Sequence, residues 1–178
     1  MSWFRDLGNT GIQVSAIGLG TVKLGRDRGV RYAQPFTLPD ARSAAALLSR
    51  ARELGVNLID TAPAYGWGHS ERVLRKALDG RQDHVILATK CGLWWDDERG
   101  SFFADFEGKA LYRSLRPDTI AIEVERSLQN LGVDCIDLYQ THWPAMDPEN
   151  TPVAETMGAL KDMQQAGKIR EIGVCNTS

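Results

Sequence analysis

The residues of this sequence that could carry acid–base chemistry stand beside short apolar segments. They are Asp60, Tyr65, Lys90 and His142. Asp60, Lys90 and His142 each end an apolar run that is typical of a buried strand, and Tyr65 follows Asp60 across a turn. Because α/β folds place their chemistry at the C-terminal ends of strands, we expect these side chains to form one catalytic set.

The four side chains have complementary roles in protonating a carbonyl group. A phenol donates a proton reluctantly at pH 7, because its pKa is roughly 10. A lysine ammonium beside Tyr65 would favour the phenolate and lower that pKa, and an aspartate beside Lys90 would keep the lysine charged and in place. A neutral histidine can hydrogen-bond a carbonyl oxygen and orient it. The hydride must come from a nicotinamide or flavin, since protein side chains cannot supply it.

Each of these residues also has a purely structural interpretation. Asp60 could cap a helix or stabilise a loop, Lys90 could be a solvated strand end, and His142 could be a hydrogen-bonded core histidine. The catalytic interpretation is favoured because all of these residue types occur together at matched strand ends.

Strands and helices alternate along the chain, which predicts a parallel sheet with right-handed crossovers. An N-terminal β-hairpin at 3–14, a strand at 15–21 and a loop at 23–37 come first. The predicted helices cover 40–54 (with Asp40 as N-cap), 70–80, 117–131 and 151–167, and the predicted strands cover 57–60, 85–90, 136–142 and 169–176. No Gly-x-Gly-x-x-Gly follows the first strand, which weighs against an open dinucleotide-binding sheet. The fold class expected is α/β, of the (β/α)8 TIM-barrel type, with about the first five βα units present.

A long insertion is predicted at 91–115, and it carries adjacent aromatic residues. These are Trp94, Trp95, Phe102 and Phe103. A loop of this length inside a compact domain is usually functional, for example a lid or a substrate wall. The alternative is that the aromatic side chains only hold the loop against the domain.

Length and composition limit the number of domains and the kinds of partner that the protein can have. A single domain over residues 1–178 is expected, because 178 residues with 43% hydrophobic content can bury a core. The formal net charge of −2 gives no electrostatic reason to expect nucleic acid or a membrane surface as partner, and no apolar run is long enough to span a membrane. No signal peptide is expected, and the widely spaced Cys91, Cys135 and Cys175 indicate reduced thiols in a cytoplasmic chain. No metal site is expected, since the histidines are far apart and no two cysteines are close.

The chain resembles the aldo-keto reductases in motifs that occur in the family's order nearly from end to end. The motifs are Leu7-Gly8-Asn9-Thr10-Gly11, Gly18-Leu19-Gly20-Thr21, Asp60-Thr61-Ala62 through Tyr65-Gly66 to Gly68-His69-Ser70-Glu71, Thr89-Lys90, Leu131-Gly132, Asp137 through His142-Trp143-Pro144, and Gly167-Lys168-Ile169-Arg170 to Gly173-Val174-Cys175-Asn176. The resemblance implies NADPH-dependent reduction of a small-molecule aldehyde or ketone on a (β/α)8 barrel.

The resemblance also implies a role for individual residues. Tyr65 matches the proton donor, Lys90 and Asp60 match the residues that tune its pKa, and His142 matches the residue that orients the carbonyl. The positions that match the nicotinamide site are Gly20, Thr21, Asp60, Cys175 and Asn176. Cys175 replaces the serine that the family usually has, and a thiol is a weaker hydrogen-bond partner. The positions expected around the substrate are Trp94, Trp95 and Trp143.

The length of the chain leaves two functions open. A barrel of this type needs roughly 250 residues. We therefore expect a C-terminally truncated carbonyl reductase that lacks the segments that would bind the 2′-phosphate of NADPH. The alternative is a non-catalytic half-barrel that serves as a regulatory or partner-binding module. Either form would have exposed barrel edges, through which self-association is expected.

Overall fold

The computed structural model describes residues 3–24, 41–81, 85–106 and 108–177. Most of the predicted loop 23–37, and the predicted N-cap Asp40, lie outside these residues.

The described strands and helices alternate as the sequence predicts. The strands are β1 (Phe4–Asp6), β2 (Gln13–Ser15), β3 (Leu19–Gly20), β4 (Leu58–Asp60), β5 (Ile86–Cys91), β6 (Leu93–Trp94), β7 (Ser101–Phe106), β8 (Lys109–Arg113), β9 (Ile136–Thr141) and β10 (Ile169–Val174). The helices are α1 (Ala41–Glu53), α2 (His69–Leu78), α3 (Pro117–Leu131) and α4 (Val153–Gln165). Among the described helices, none is long and apolar enough to cross a lipid bilayer.

The central sheet has five strands in the order β10-β9-β5-β4-β3, and each neighbouring pair is parallel. The order in space therefore follows the order in the chain. A doubly wound sheet reverses its strand order at a switch point, whereas an α/β barrel adds each strand beside the previous one. The prediction of an incomplete α/β barrel is confirmed.

The main core lies between this sheet and the helices that connect its strands. Each helix buries an apolar stripe because its hydrophobic residues recur with a helical period. The largest contributors are Leu48, Ile59, Leu74, Leu87, Ile120, Leu131, Ile136, Tyr139, Leu160 and Ile169. The packing fixes β4, β5 and β9 relative to one another, so the residues at their C-terminal ends share one rigid frame.

The N-terminal hairpin is present and docks beside the sheet. Strands β1 and β2 pair antiparallel, with Phe4 opposite Ser15. The side chain of Asn57 joins the hairpin to the start of β4, since its Oδ1 accepts a hydrogen bond from the Ser15 amide at 2.7 Å. The predicted strand 15–21 is wrong in extent, because Ser15 belongs to the hairpin and only Leu19–Gly20 pairs with β4.

The segment predicted as a long loop at 91–115 is instead a second, small sheet. Strands β6, β8 and β7 lie side by side and pair antiparallel. A register shift between Phe102 and Ala104 bends β7. This small sheet packs through its own apolar cluster, centred on Ala64, Leu93 and Leu111.

Candidate active site

The parallel register directs the polar strand-end residues to one face of the central sheet. Asp60 pairs with Ala88, and Lys90 pairs with Gln140 two residues further along β5. Paired residues of neighbouring strands share a face, and so do residues two apart on one strand. The side chains of Asp60, Lys90 and Gln140 are therefore neighbours at the C-terminal end of the sheet.

Lys90 is the central group of this arrangement. Its ammonium donates to Asp60 Oδ1 at 2.6 Å and to the Thr61 carbonyl at 2.8 Å. Only 3% of the residue is exposed, so the ion pair with Asp60 is formed mostly away from water on the lysine side. The second carboxylate oxygen of Asp60 accepts a hydrogen bond from Gln140 Nε2 at 3.3 Å. These contacts fix both charges in one geometry.

Tyr65 lies on the tight turn between β4 and α2, and its ring reaches the same place. The backbone amide of Tyr65 donates to the Ala62 carbonyl at 3.1 Å, which closes the turn. The Lys90 ammonium is 5.4 Å from the centroid of the Tyr65 ring. The His142 ring meets the Tyr65 ring edge-on, with 5.9 Å between centroids. The structure thus brings the four predicted catalytic residues together.

His142 is held in its neutral form. Its backbone amide donates to the Cys91 carbonyl at 2.8 Å, and its own carbonyl accepts from Asn176 Nδ2 at 2.7 Å. Burial, reinforced by the positive charge of Lys90, lowers the pKa of His142 to about 3. A neutral imidazole carries one N–H donor and one acceptor nitrogen, so it can hydrogen-bond a carbonyl oxygen without adding charge.

Thr21 was predicted to line the nicotinamide site, but the structure buries its side chain beneath the end of β4. It is 1% exposed, and its hydroxyl donates to the Asp60 carbonyl at 3.0 Å. Ser70 Oγ donates to Thr21 Oγ1 at 2.9 Å and receives a hydrogen bond from Thr61 at 3.0 Å. Thr21 therefore supports the strand end beneath Asp60 and presents almost no surface to a bound molecule.

The other predicted cofactor residues lie at the rim of the site. Gly20 is exposed and pairs with Asp60 across β3 and β4. Asn176 is exposed, and its Nδ2 also approaches Cys175 Sγ at 3.3 Å. Within the described ranges, the side-chain amide oxygens of Gln140 and Asn176 accept no hydrogen bond. This amide-rich rim has the hydrogen-bonding groups that a nicotinamide carboxamide requires.

The aromatic residues form one wall beside the site. Trp95 packs edge-on against Trp67, with 5.1 Å between the ring centroids. The ring centroids of Trp143 and Phe103 are 6.2 Å apart. Trp95 and Trp143 are half-buried, as residues facing a substrate would be. Trp94 does not match its prediction, because it is 1% exposed. Its indole N–H donates to Asp97 at 2.7 Å, so Trp94 supports the wall from behind.

Several residues near the site were missed by sequence reasoning. Gln140 stands two residues before His142 on β9, and this spacing was a usable signal for it. Glu71 and Glu123 are buried behind β5, where Glu71 Oε1 accepts from Thr89 at 2.8 Å and Glu123 Oε2 accepts from the Gly92 amide at 2.9 Å. No cluster of three or more potential metal-ligating side chains occurs in the part of the chain that the structure describes.

Comparison with known proteins identifies relatives along most of the chain. The sequence profile of the Aldo/keto reductase family matches residues 16–178. The NADH-specific methylglyoxal reductase of Escherichia coli (strain K12) is 40% identical over 171 residues, which cover 96% of this chain and 51% of that protein. Aldo-keto reductase YhdN of Bacillus subtilis (strain 168) is 41% identical over 177 residues, which cover 98% of this chain and 47% of that protein.

The fold has relatives among solved structures as well. A glycerol dehydrogenase from Gluconobacter oxydans superposes with a TM-score of 0.78 at 36% identity, and the match covers 99% of this chain and 49% of that chain. The chain spans about half the length of the curated relatives it matches.

Proposed function

The chain belongs to the aldo/keto reductase family, and from this membership we propose that it reduces the carbonyl group of an aldehyde or ketone to an alcohol. The observation that carries the proposal is the position of Lys90. One buried ammonium is bound to Asp60 and faces the Tyr65 ring at 5.4 Å, next to a neutral His142.

In the proposed mechanism, Tyr65 is the general acid. Its hydroxyl gives a proton to the carbonyl oxygen as charge develops there, which leaves a phenolate. The Lys90 ammonium stabilises that phenolate, and Asp60 keeps Lys90 in place. The neutral imidazole of His142 donates a hydrogen bond to the same oxygen and orients the substrate.

A nicotinamide cofactor would supply the hydride. The residues proposed to hold its nicotinamide end are Gly20, Asp60, Gln140, Cys175 and Asn176, with Thr21 supporting them from below. The family resemblance makes NADPH the proposed cofactor. NADH is the alternative, because the Escherichia coli relative is named an NADH-specific enzyme.

A steady-state assay with both cofactors tests this choice. Reduction of methylglyoxal, the substrate in the name of the Escherichia coli relative, is measured with NADPH and with NADH. We expect turnover with NADPH, and turnover with NADH alone would reverse the assignment.

The Tyr65→Phe variant tests the proposed acid. Loss of the hydroxyl removes only the proton donor, so kcat should fall by about 10²–10⁴-fold while the circular dichroism spectrum is unchanged. Tyr112→Phe serves as the matched control, because the Tyr112 ring packs against the exposed Phe102 on the small sheet. Retention of substantial aldehyde reduction by Tyr65→Phe would rule out the role assigned to Tyr65.

We also propose a cytoplasmic location, which is supported by the three free thiols Cys91, Cys135 and Cys175.

A further inference from the structure

Strand β8 presents two cations to the aromatic wall. Side chains alternate along a strand, so Lys109, Leu111 and Arg113 share one face. Leu111 is buried in the cluster with Ala64 and Leu93, which shows that this face packs toward the site. Lys109 Nζ lies 4.5 Å from the centre of the Trp67 ring, and the Arg113 guanidinium lies 4.7 Å from that of Trp143.

The guanidinium of Arg113 lies against two rings. It is 4.5 Å from the centroid of Phe103 as well as 4.7 Å from that of Trp143. These contacts stabilise the charge and orient the guanidinium plane. An aromatic ring offers no oxygen acceptor, however, so the N–H donors of Arg113 form no hydrogen bond to oxygen through them. The Nε atom is buried and has no hydrogen-bond partner among the described residues.

Other arginines beside aromatic rings in this region are paired with carboxylates. Arg99, which lies over Trp94, binds Asp97 and Asp118 at 2.8 Å each. Arg126, near Trp94 and Trp95, binds Asp96. Arg113 has no such carboxylate within the described ranges, and burial alone lowers its pKa from the ordinary value.

The position of Arg113 links it to the reacting groups. Its stacking partner Trp143 directly follows His142, and the other cation contacts Trp67, two residues after Tyr65. A substrate with its carbonyl between Tyr65 and His142 would extend along this wall. The buried Nε cannot reach a ligand, but the two terminal Nη groups are not buried without a partner. A planar pair of such donors is complementary to a carboxylate, which accepts two parallel hydrogen bonds from them.

We propose that Arg113 binds a carboxylate carried by the carbonyl substrate, and that the protein therefore prefers carboxylated aldehydes or ketones. Lys109 adds positive charge at the other end of β8. This inference rests on the proposed reductase function for the identity of the bound molecule, whereas the carboxylate site itself can be tested without turnover.

Two isosteric substrates test the preference. The ratio of kcat/KM for 4-carboxybenzaldehyde to that for 4-carbamoylbenzaldehyde is measured for the native protein and for Arg113→Gln. We expect the native ratio to exceed the variant ratio by about 10-fold or more, since hydrogen bonds to charged groups are the strong ones. Arg50→Gln, which removes the same charge from the exposed Arg50–Glu53 pair on α1, should leave the ratio unchanged.

Binding without turnover separates this inference from the proposed function. Benzoate and benzamide are titrated while tryptophan fluorescence is followed, because Trp143 lies beside Arg113. We expect benzoate to bind more tightly than benzamide in the native protein and in Arg50→Gln, but not in Arg113→Gln. Selective benzoate binding without reduction of either aldehyde would support the carboxylate site and contradict the reductase.

The opposite combination overturns the inference. Reduction of both aldehydes with equal efficiency, and equal binding of benzoate and benzamide, would support the reductase and eliminate the carboxylate site. If Arg113→Gln fails to fold, Arg113→Lys replaces it in the test, because lysine keeps the positive charge but lacks the planar guanidinium. It should retain a reduced preference for the carboxylate, and full native preference in Arg113→Lys would contradict recognition by the guanidinium.

Discussion

The Lys90 ammonium has three N–H donors, and the structure accounts for two of them. One donates to Asp60 and one to the Thr61 carbonyl, at the turn that carries Tyr65. The lysine thus ties together the strand end and the turn, and it places its charge 5.4 Å from the centroid of the phenol ring. Its proposed electrostatic role and its structural role therefore predict two separate effects of removing it.

We predict that Lys90→Met lowers kcat more than it raises KM. The phenolate left after proton transfer loses its cation, so kcat should fall by about 10²-fold or more. The free energy of unfolding should also fall, by about 1–3 kcal/mol, because the Thr61 carbonyl is left without its donor. Steady-state kinetics and urea denaturation measure the two effects. Lys161→Met, at an exposed position on α4, should change neither, and a Lys90→Met enzyme with native kcat would contradict the proposed mechanism.

The lowered pKa of His142 predicts its behaviour in titrations. With a pKa of about 3 in the folded protein, His142 stays neutral between pH 5 and 8. The unfolded chain binds a proton at this position below about pH 6.5, so the unfolded state carries more protons between the two values. Stability contributed by His142 is therefore present above about pH 6.5 and is lost as the pH falls toward 3, by roughly 1.4 kcal/mol per pH unit.

Proton NMR of the imidazole resonances checks this prediction. The resonance that is absent from His142→Gln should not shift between pH 5 and 8 in the native protein. A midpoint near 6.5 for that resonance would show that His142 is protonated in the range where we expect it to be neutral.

The four proposed catalytic residues were predictable as a group because their chemical types are distinctive. Asp60, Lys90 and His142 stand at strand ends, and Tyr65 follows on the turn after β4. Gln140 and Arg113 were not predicted, because a glutamine or an arginine is common on any surface and only its neighbours give it a role. For Arg113 the deciding observations are the two stacked rings and, within the described ranges, the absence of a carboxylate partner such as Arg99 and Arg126 have. Such facts depend on contacts between residues that are distant in sequence.

The small sheet depends on a glycine where two of its segments meet. Gly100 has φ +117°, and a Cβ there would collide with the Arg113 carbonyl oxygen. We predict that Gly100→Ala lowers the free energy of unfolding by about 3 kcal/mol or more, through strain and the backbone clash together. Gly108→Ala is the control, since φ is +80° there but, apart from the adjacent residues, no atom of the described chain lies within 4 Å of the added Cβ.

In the control, the free energy of unfolding should fall by only about 1–2 kcal/mol, because alanine is disfavoured in a left-handed backbone conformation. Thermal denaturation of both variants measures the difference. Equal destabilisation of the two variants would mean that the small sheet relaxes around position 100, so that the clash between the added Cβ and the Arg113 carbonyl oxygen contributes nothing to the loss of stability.

Helix α3 buries an acid behind the site, and this predicts a second pH effect. Burial raises the pKa of Glu123 to about 8, although the Gly92 amide and the charge of Arg126 oppose the shift. The folded state then holds a proton that the unfolded state releases above about pH 4.3. Stability contributed by Glu123 is present below that pH and is lost as the pH rises through 8, with a sign opposite to that of His142.

We predict that Glu123→Gln becomes more stable relative to the native protein as the pH rises from 5 to 8. Glutamine keeps an oxygen that can accept the hydrogen bond from the Gly92 amide but never has to ionise in the core. Urea denaturation at several pH values gives the difference in unfolding free energy. A difference that does not change with pH would show that Glu123 is not the titrating group.

The elements of the central sheet were predictable, whereas those of the small sheet were not. Helices α3 and α4 show apolar residues at helical spacing, and Pro117 and Pro152 mark their starts. Strand β7 lacks regular alternation, because the irregularity between Phe102 and Ala104 shifts its register. Gly108 was the turn signal that could have identified the β7–β8 hairpin.

Across the whole described molecule, the sheet has two open edges. Within the described ranges, β3 and β10 each have only one neighbouring strand. On β10, Val174 is 57% exposed and lies beside a 180 Å³ apolar cavity that Met157 also lines. Open strand edges with apolar neighbours favour pairing between chains.

We therefore propose that this chain self-associates, in a manner that depends on concentration. Val174→Lys should shift the equilibrium toward the monomer, because it places a charge at the open edge. Ile122→Lys adds the same charge on α3, where the side chain is 41% exposed, and should leave association unchanged. Sedimentation velocity over a range of concentrations checks this, and a monomer at every concentration would contradict it.

The two apolar clusters of the molecule are separate, and this gives the fold a modular character. One cluster holds the central sheet and its helices, and the other holds the small sheet of β6, β7 and β8 against the turn after β4. Asp60, Lys90 and His142 stand at strand ends of the first frame, whereas Trp95, Phe103 and Arg113 come from the second, against which the turn that carries Tyr65 packs. Under the proposed function, exchanging residues 93–113 would therefore change the substrate wall and leave the proposed proton-transfer residues Asp60, Tyr65, Lys90 and His142 in place.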